Sequence, residues 1–205
     1  FIDRYNFLIE YQNKKYADQY KELVDYVKKH EENIKVDVKN FSNAVAINYF
    51  KLMSYKDEYE VARLYSNNEF ISKINETFEG NFKINFHLSP PIFYKKDKVT
   101  GNPLKMNFGS WALNLFKFIS KFKFLRGTIF DIFGYFEERK IERLLINKYK
   151  NLIQEICPKL TTDNYSIAVE IASVPDQIRG FGYIKKKNIE IAKNCENRLM
   201  SMFNG

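Results

Sequence analysis

Apolar side chains recur every three or four residues along most of the chain, which is the spacing of one face of an α-helix. The first stretch with this period is long and charged, and a polar connection at 31–41 separates it from the second. The hydroxyl of Ser42 suits the N-cap of that second helix. In total the pattern predicts six to seven helices, over about residues 4–29, 42–65, 68–80, 111–125, 136–157, 163–172 and 182–203.

The period changes near the middle of the chain. Phe82, Ile84 and Phe86 alternate with polar residues, which is typical of a strand. Further on, 92–96 and 104–108 flank Thr100-Gly101-Asn102, and this arrangement predicts a hairpin. The expected fold class is therefore α+β, mostly α-helical, with a small antiparallel sheet or hairpin near residues 82–108. Strands and helices do not alternate, so a doubly wound sheet is not expected.

The helix predicted at 111–125 is the most apolar segment. Its heptad-like spacing predicts one buried stripe and an opposite face that carries Asn114, Lys117 and Lys121. The lysines also exclude a membrane span, because no run of about 18 uncharged apolar residues exists. The predicted buried stripe consists of Trp111, Leu115, Phe118, Phe122 and Leu125.

Composition sets the size and the charge of the molecule. The 205 residues are 45% hydrophobic and 17% aromatic, which suits a single domain, 1–205, with a real core. The formal net charge is +8. One interpretation is attraction to a polyanion; the other is a composition rich in Lys and Asn. Because the lysines are spread along the chain, a nucleic-acid partner is not expected.

Chemistry-bearing residues are few. Cys157 and Cys195 are too few for a disulfide framework, a metal ligand set or an iron–sulfur cluster, and they fit a reducing cytoplasm. Gly180-Phe181-Gly182 lacks the third glycine of a dinucleotide-binding loop. His87 follows the predicted strand. It is either an acid, base or ligand, or a packed histidine bonded to loop backbone.

One turn of the second helix carries charges where a core face should be. The spacing allows ion pairs of Glu60 with Lys56 and with Arg63. Since an unpaired buried charge costs several kcal/mol, we expect these side chains to be buried in pairs. They form either ion pairs at the edge of the core or an interdomain or ligand site. The charges are Lys56, Asp57, Glu60 and Arg63, beside Tyr49, Leu52 and Tyr59.

The segment 175–182 is expected to be ordered. Asp176 can cap a short helical turn, and two glycines permit positive φ. Arg179 has a planar fork that suits a carboxylate or a phosphate. Either it bonds internally to a carboxylate or to carbonyls at a helix end, or, with Gln177, it faces other domains or an anionic group.

Several of these segments, in this order, resemble one known family. The charged turn lies in Phe50-Lys51-Leu52-Met53 and Lys56-Asp57-Glu58-Tyr59-Glu60-Val61-Ala62-Arg63-Leu64-Tyr65. Further matches are Phe86-His87-Leu88, Leu125-Arg126-Gly127-Thr128, Phe130-Asp131, Glu138-Arg139 and Pro175-Asp176-Gln177-Ile178-Arg179-Gly180-Phe181-Gly182. The ordered set is similar to the C-terminal domain of fused-type indolepyruvate ferredoxin oxidoreductases, over about residues 4–193.

The resemblance implies a C-terminal domain cut from a larger multidomain oxidoreductase. The whole enzyme decarboxylates arylpyruvates oxidatively with coenzyme A, and uses thiamine diphosphate, Mg²⁺ and 4Fe–4S clusters. None of its catalytic or cofactor-binding residues maps onto this chain, which lacks the Gly-Asp-Gly diphosphate motif. The candidate interface or ionic residues are Lys56, Asp57, Glu60, Arg63, His87, Arg126, Asp176, Gln177 and Arg179.

Two functions from different classes follow. The first is a non-catalytic accessory domain that docks on the catalytic domains of the same enzyme, or forms a homodimer, in the cytoplasm. The second is a basic module that binds nucleic acid or another anionic partner. One contiguous basic face would favour the second function.

Overall fold

The structure, a computed structural model, describes residues 1–34, 39–80, 82–88 and 104–205. Helices dominate these residues. Their bounds are α1 Ile2–Tyr11, α2 Lys14–Glu32, α3 Asn40–Met53, α4 Glu58–Ser66, α5 Asn68–Thr77, β1 Phe86–Leu88, β2 Met106–Phe108, α6 Ala112–Ser120, α7 Glu137–Ile156, α8 Tyr165–Ser173 and α9 Gly182–Asn204. Short 3-10 helices follow α6, α7 and α8 at Lys123–Leu125, Cys157–Lys159 and Val174–Gln177.

The predicted fold class, α+β with six to seven helices, is wrong. The described residues form nine α-helices and one sheet of two short strands, which is a mostly α fold. The count differs because two predicted helices are each interrupted. Asn13 and Asp57 have extended backbones, and each side chain accepts the N–H three residues on, so a new helix starts there.

The sheet also differs from the prediction. β1 and β2 are antiparallel, with Phe86 opposite Phe108 and Leu88 opposite Met106. Residues 82–85 are not in a strand. The other predicted strand, 92–96, and the turn Thr100-Gly101-Asn102 lie outside the described residues.

The chain divides into two compact units. Unit 1 comprises Phe1–Tyr55 and Lys140–Gly205, and unit 2 comprises Lys56–Arg139. Each unit has its own apolar cluster. No helix among the described residues is long and apolar enough to cross a membrane.

Buried tyrosines form much of the core of unit 1. The ring of Tyr49 stacks with Tyr20 at 6.2 Å and with Tyr149 at 6.1 Å between centroids. The hydroxyl of Tyr20 donates to the carbonyl of Ala46 at 3.0 Å, and that of Tyr149 to Ala172 at 2.8 Å. Burial raises the pKa of Tyr49 to about 12, and it also raises the pKa values of Tyr20 and Tyr149, so all three phenols stay protonated at neutral pH.

A buried carboxylate joins three helices of unit 1. Glu31, near the end of α2, is fully buried, and its Oε1 accepts the N–H groups of Phe41 at 2.9 Å and Ser42 at 3.3 Å. The hydroxyl of Tyr165, in α8, donates to the same oxygen at 2.6 Å. Lys39 at the N-cap of α3 makes no capping bond with its side chain, so Glu31 supplies the anion at that helix start.

We expect Glu31→Ala to lower the free energy of unfolding by about 3 kcal/mol, because buried N–H donors lose a charged acceptor. Urea titration followed by far-ultraviolet circular dichroism measures this loss. The matched control is Glu32→Ala, which removes the neighbouring carboxylate, an exposed one paired with Lys39 at 3.3 Å. Its midpoint should stay close to wild type; equal midpoints for the two variants would contradict the role of Glu31.

Candidate docking surface and its supporting ion pairs

The charged turn ahead of α4 centres on Asp57. Its Oδ1 accepts the N–H of Glu60 at 2.9 Å and so caps α4. The same carboxylate binds Arg126, with Nε 2.5 Å from Oδ2 and Nη2 2.8 Å from Oδ1. Both side chains are 3% exposed. Asp57 therefore starts a helix and holds a residue far along the chain.

Two further arginines of unit 2 bind carboxylates in the same bidentate geometry. Arg63 binds Glu60 with Nε and Nη2 both at 2.8 Å. Arg139 binds Glu58 at 3.2 and 3.1 Å. Burial alone would lower the pKa of Arg139, but the bond to Glu58 raises it, and the net shift is upward. Such paired N–H···O bonds fix geometry as well as charge.

Lys56 does not join these pairs as predicted. Asp57 and Glu60 are buried and Arg63 is mostly buried, but Lys56 is exposed. The prediction assumed one continuous helix through this turn. Because α3 ends at Met53 and α4 begins at Glu58, helical spacing does not place Lys56 over Glu60.

The loop after Arg126 is stabilised by hydrogen bonds from its backbone to a buried carboxylate. Asp131 is buried, and its oxygens accept the N–H groups of Gly127 at 2.7 Å and Gly134 at 2.9 Å. Gly127 has a φ of +77°, which favours glycine. The ring of Tyr59 contacts Phe133 edge-on at 5.0 Å. Burial, and then the nearby Asp131, raise the pKa of Tyr59.

The outer side of this loop is apolar. Four large side chains, 62% to 77% exposed, lie between Gly127 and α7. The hydroxyl of Tyr135 donates to the carbonyl of Ile129 at 2.8 Å, which closes the loop on itself. We call residues 127–136 the apolar loop; its exposed side chains are Ile129, Phe130, Ile132 and Tyr135.

Helix α6 buries a different face from the one predicted. Ala112 and Phe116 are buried, with Leu113 and Ile119 packed beside them. The predicted core residues are at the surface: Trp111 is 59% and Phe118 60% exposed. Apolar residues occupy both the predicted face and the face with Ala112 and Phe116, so the period did not determine which of the two packs against α4. We call the exposed set, Trp111, Leu115, Phe118 and the half-buried Phe122, the aromatic stripe.

The aromatic stripe continues through ring contacts at both ends. The ring centroid of Trp111 lies 5.9 Å from that of Phe108 in β2, and the centroids of Phe118 and Phe122 are 5.0 Å apart. Phe124 follows at 6.3 Å from Phe122 and is itself exposed. Large groups of exposed apolar side chains usually mark an interaction surface.

The remaining predicted site residues are placed elsewhere. His87 is exposed on β1. Asp176, Gln177 and Arg179 belong to unit 1 and are exposed. Asp176 pairs with Lys51 at 3.3 Å. The amide nitrogen of Gln177 lies 3.6 Å from the Sγ atom of Cys195.

Arg179 forms an internal hydrogen bond, which is the first of the two alternatives predicted for it. Its Nε donates to the carbonyl of Asp176 at 2.9 Å, at the end of the 3-10 helix Val174–Gln177. Asp176 lies within that helix and does not cap it, contrary to the prediction. Gly180 and Gly182 have φ of +91° and +55°, as the prediction of an ordered glycine-bearing turn requires.

Reactive groups are sparse in the described part of the chain. It contains no group of three His, Cys, Asp or Glu side chains arranged for a metal ion. Both cysteines are free thiols, and burial raises the pKa of Cys157 to about 12. The thiol of Cys157 is therefore protonated at neutral pH and is not a ready nucleophile.

Sequence reasoning missed several of the residues that shape this surface. Glu58, Asp131 and Arg139 were not among the predicted site residues, since their partners are distant or depend on loop geometry. The four exposed side chains of the apolar loop had no periodic pattern at all. The available signal was an apolar run with little charge between two glycines, 127 and 134.

The chain belongs to a protein family described as "Family of unknown function (DUF6537)", whose model matches residues 1–198. No curated protein and no solved structure matches the chain.

Replacing Arg126 by Met should lower the free energy of unfolding by about 3–5 kcal/mol, because Asp57 would be left as an uncompensated buried charge. Adding Asp57→Asn to that variant should recover part of the loss, since Asn still caps α4 without a charge. Urea midpoints of the single and double variants measure both effects.

The control for this pair is Lys56→Met, which changes the exposed neighbour and should leave the midpoint near wild type. If the double variant is no more stable than Arg126→Met, the buried charge of Asp57 is not the source of the loss.

Proposed function

We propose that this chain is a non-catalytic accessory domain of a thiamine-diphosphate-dependent indolepyruvate ferredoxin oxidoreductase, and that it docks on the catalytic domains of that enzyme. The observation that supports docking is the apolar loop, in which the buried Asp131 fixes the backbone while four large apolar side chains face solvent. The identity of the partner comes from the ordered sequence resemblance.

The chemistry of the surface supports binding more than catalysis. Aromatic and large aliphatic side chains are the residues that anchor protein interfaces. The apolar loop and the aromatic stripe provide such anchors on both sides of the short segment around Arg126. A loop that is already ordered loses little conformational freedom when a partner covers it, which favours affinity.

The buried charges of unit 2 have structural partners. Asp57, Glu58 and Glu60 each bind an arginine fork, and Asp131 binds loop N–H groups. Groups held in this way support the loop and helix that carry the surface. Thiamine diphosphate, Mg²⁺ and the 4Fe–4S clusters would belong to the other domains, in the cytoplasm.

The test uses two separately expressed proteins: this chain, and the remainder of the full-length polypeptide that contains it. Wild type should bind the remainder, measured by isothermal titration calorimetry. We expect Ile129→Ser/Phe130→Ser to weaken binding at least about tenfold, because two central anchors are lost. Both positions are exposed, so the thermal midpoint should change little.

The matched control is Phe181→Ser/Tyr183→Ser, which removes two equally exposed apolar side chains from unit 1. Its affinity should stay within about twofold of wild type. Docking through the apolar loop is wrong if both double variants bind like wild type. The enzyme assignment is wrong if the full-length polypeptide that contains this chain has no domain for thiamine diphosphate.

A further inference from the structure

We propose that the partner surface that covers the aromatic stripe and the apolar loop is acidic, with carboxylates facing Lys105, Lys117 and Lys121. This inference rests on the proposed docking function and specifies the chemistry of the partner. It follows from the sign of the exposed charges along residues 104–136 and from the position of the lysines beside the aromatic stripe.

All exposed charged side chains between residues 104 and 136 are positive. Between residues 104 and 136 the only carboxylate is Asp131, which is buried and bonded to loop N–H groups. Arg126 is also buried and paired with Asp57. Lys105, Lys117 and Lys121 are exposed.

The lysines border the apolar side chains. At about 100° per residue, Lys121 lies about 90° and Lys117 about 130° from the centre of the aromatic stripe, both on the same side. The buried face of α6, with Ala112 and Phe116, lies on the other side of the stripe. A partner that covers the stripe therefore comes within reach of both ammonium groups, which are carried on long flexible stems.

Lys105 marks the other end of the stripe. It directly precedes β2, whose Phe108 contacts Trp111 at 5.9 Å. Exposed lysines thus lie near both ends of the aromatic stripe. The next carboxylates along the chain after Asp131 are Glu137 and Glu138, in the first turn of α7. Along residues 104–136 the exposed apolar side chains are therefore accompanied by exposed lysines and by no exposed carboxylate.

A second copy of the chain fits this surface poorly. In a two-fold interface the same patch faces itself, so both sides of the interface would carry exposed positive charge and no exposed carboxylate from residues 104–136. Like charges brought together at an interface cost free energy, whereas opposite charges steer association and set the orientation of docking. The charge pattern therefore favours a partner of opposite sign.

The test measures binding to the remainder of the polypeptide, immobilised for surface plasmon resonance, at about 0.05 M and about 0.5 M NaCl. We expect Lys117→Glu/Lys121→Glu to weaken binding about tenfold at low salt, mainly through a slower association rate. The difference should shrink at high salt, where screening is stronger.

The control is Lys14→Glu/Lys15→Glu, which makes the same change of net charge at two exposed positions at the start of α2. It should bind within about twofold of wild type. Equal weakening by both charge reversals would show a general charge effect and would overturn the acidic docking site.

The remaining outcomes separate the two proposals. If charge reversal and salt change nothing while Ile129→Ser/Phe130→Ser still weakens binding, docking stands and the acidic partner is wrong. If neither variant weakens binding, the docking proposal itself fails. Tight binding to phosphatidylglycerol vesicles or duplex DNA, with none to the remainder, would overturn the inference in favour of a lipid surface or a nucleic acid.

Discussion

The carboxylate of Asp57 connects the local and the long-range structure of unit 2. It caps α4 through the N–H of Glu60 and binds the guanidinium of Arg126, 69 residues away. A buried charge is tolerated only with a partner and further hydrogen bonds, and Asp57 has both. The start of one helix and the start of the apolar loop are thereby fixed by a single side chain.

The loop beyond Arg126 separates its polar and apolar residues by direction. Asp131 turns inward and satisfies backbone N–H groups of two glycines, while Ile129, Phe130 and Ile132 point to solvent. Backbone donors that are bonded internally need no water, so the loop keeps its shape when its outer side is covered. The same division explains why a nearly uncharged segment is ordered although most of its large apolar side chains lie outside the core.

The prediction from sequence succeeded best for long helices with a clear period. The extents of α7 and α9 were predicted within a few residues, because charged and apolar positions separate cleanly along them. The interruptions at Asn13 and Asp57 were missed, since the apolar period continues through both and a capping side chain can also sit inside a helix. The pair of Glu60 with Arg63 was predicted from spacing, and it forms within one helix.

The orientation of α6 could not be obtained from its period. Both the Ala112 and Phe116 face and the Trp111 and Phe118 face are apolar, so burial of either satisfies the pattern. The choice depends on which face packs against α4 and the sheet.

The sequence by itself determined a mostly helical chain, a basic charge, few reactive groups and a local Glu60 ion pair, because these depend on composition and on neighbours within one or two helical turns. Only the tertiary structure decided that Asp57 meets Arg126, that Arg139 meets Glu58, and which apolar residues remain at the surface. Those contacts join residues far apart in the chain, and a linear pattern carries no information about which distant side chains meet.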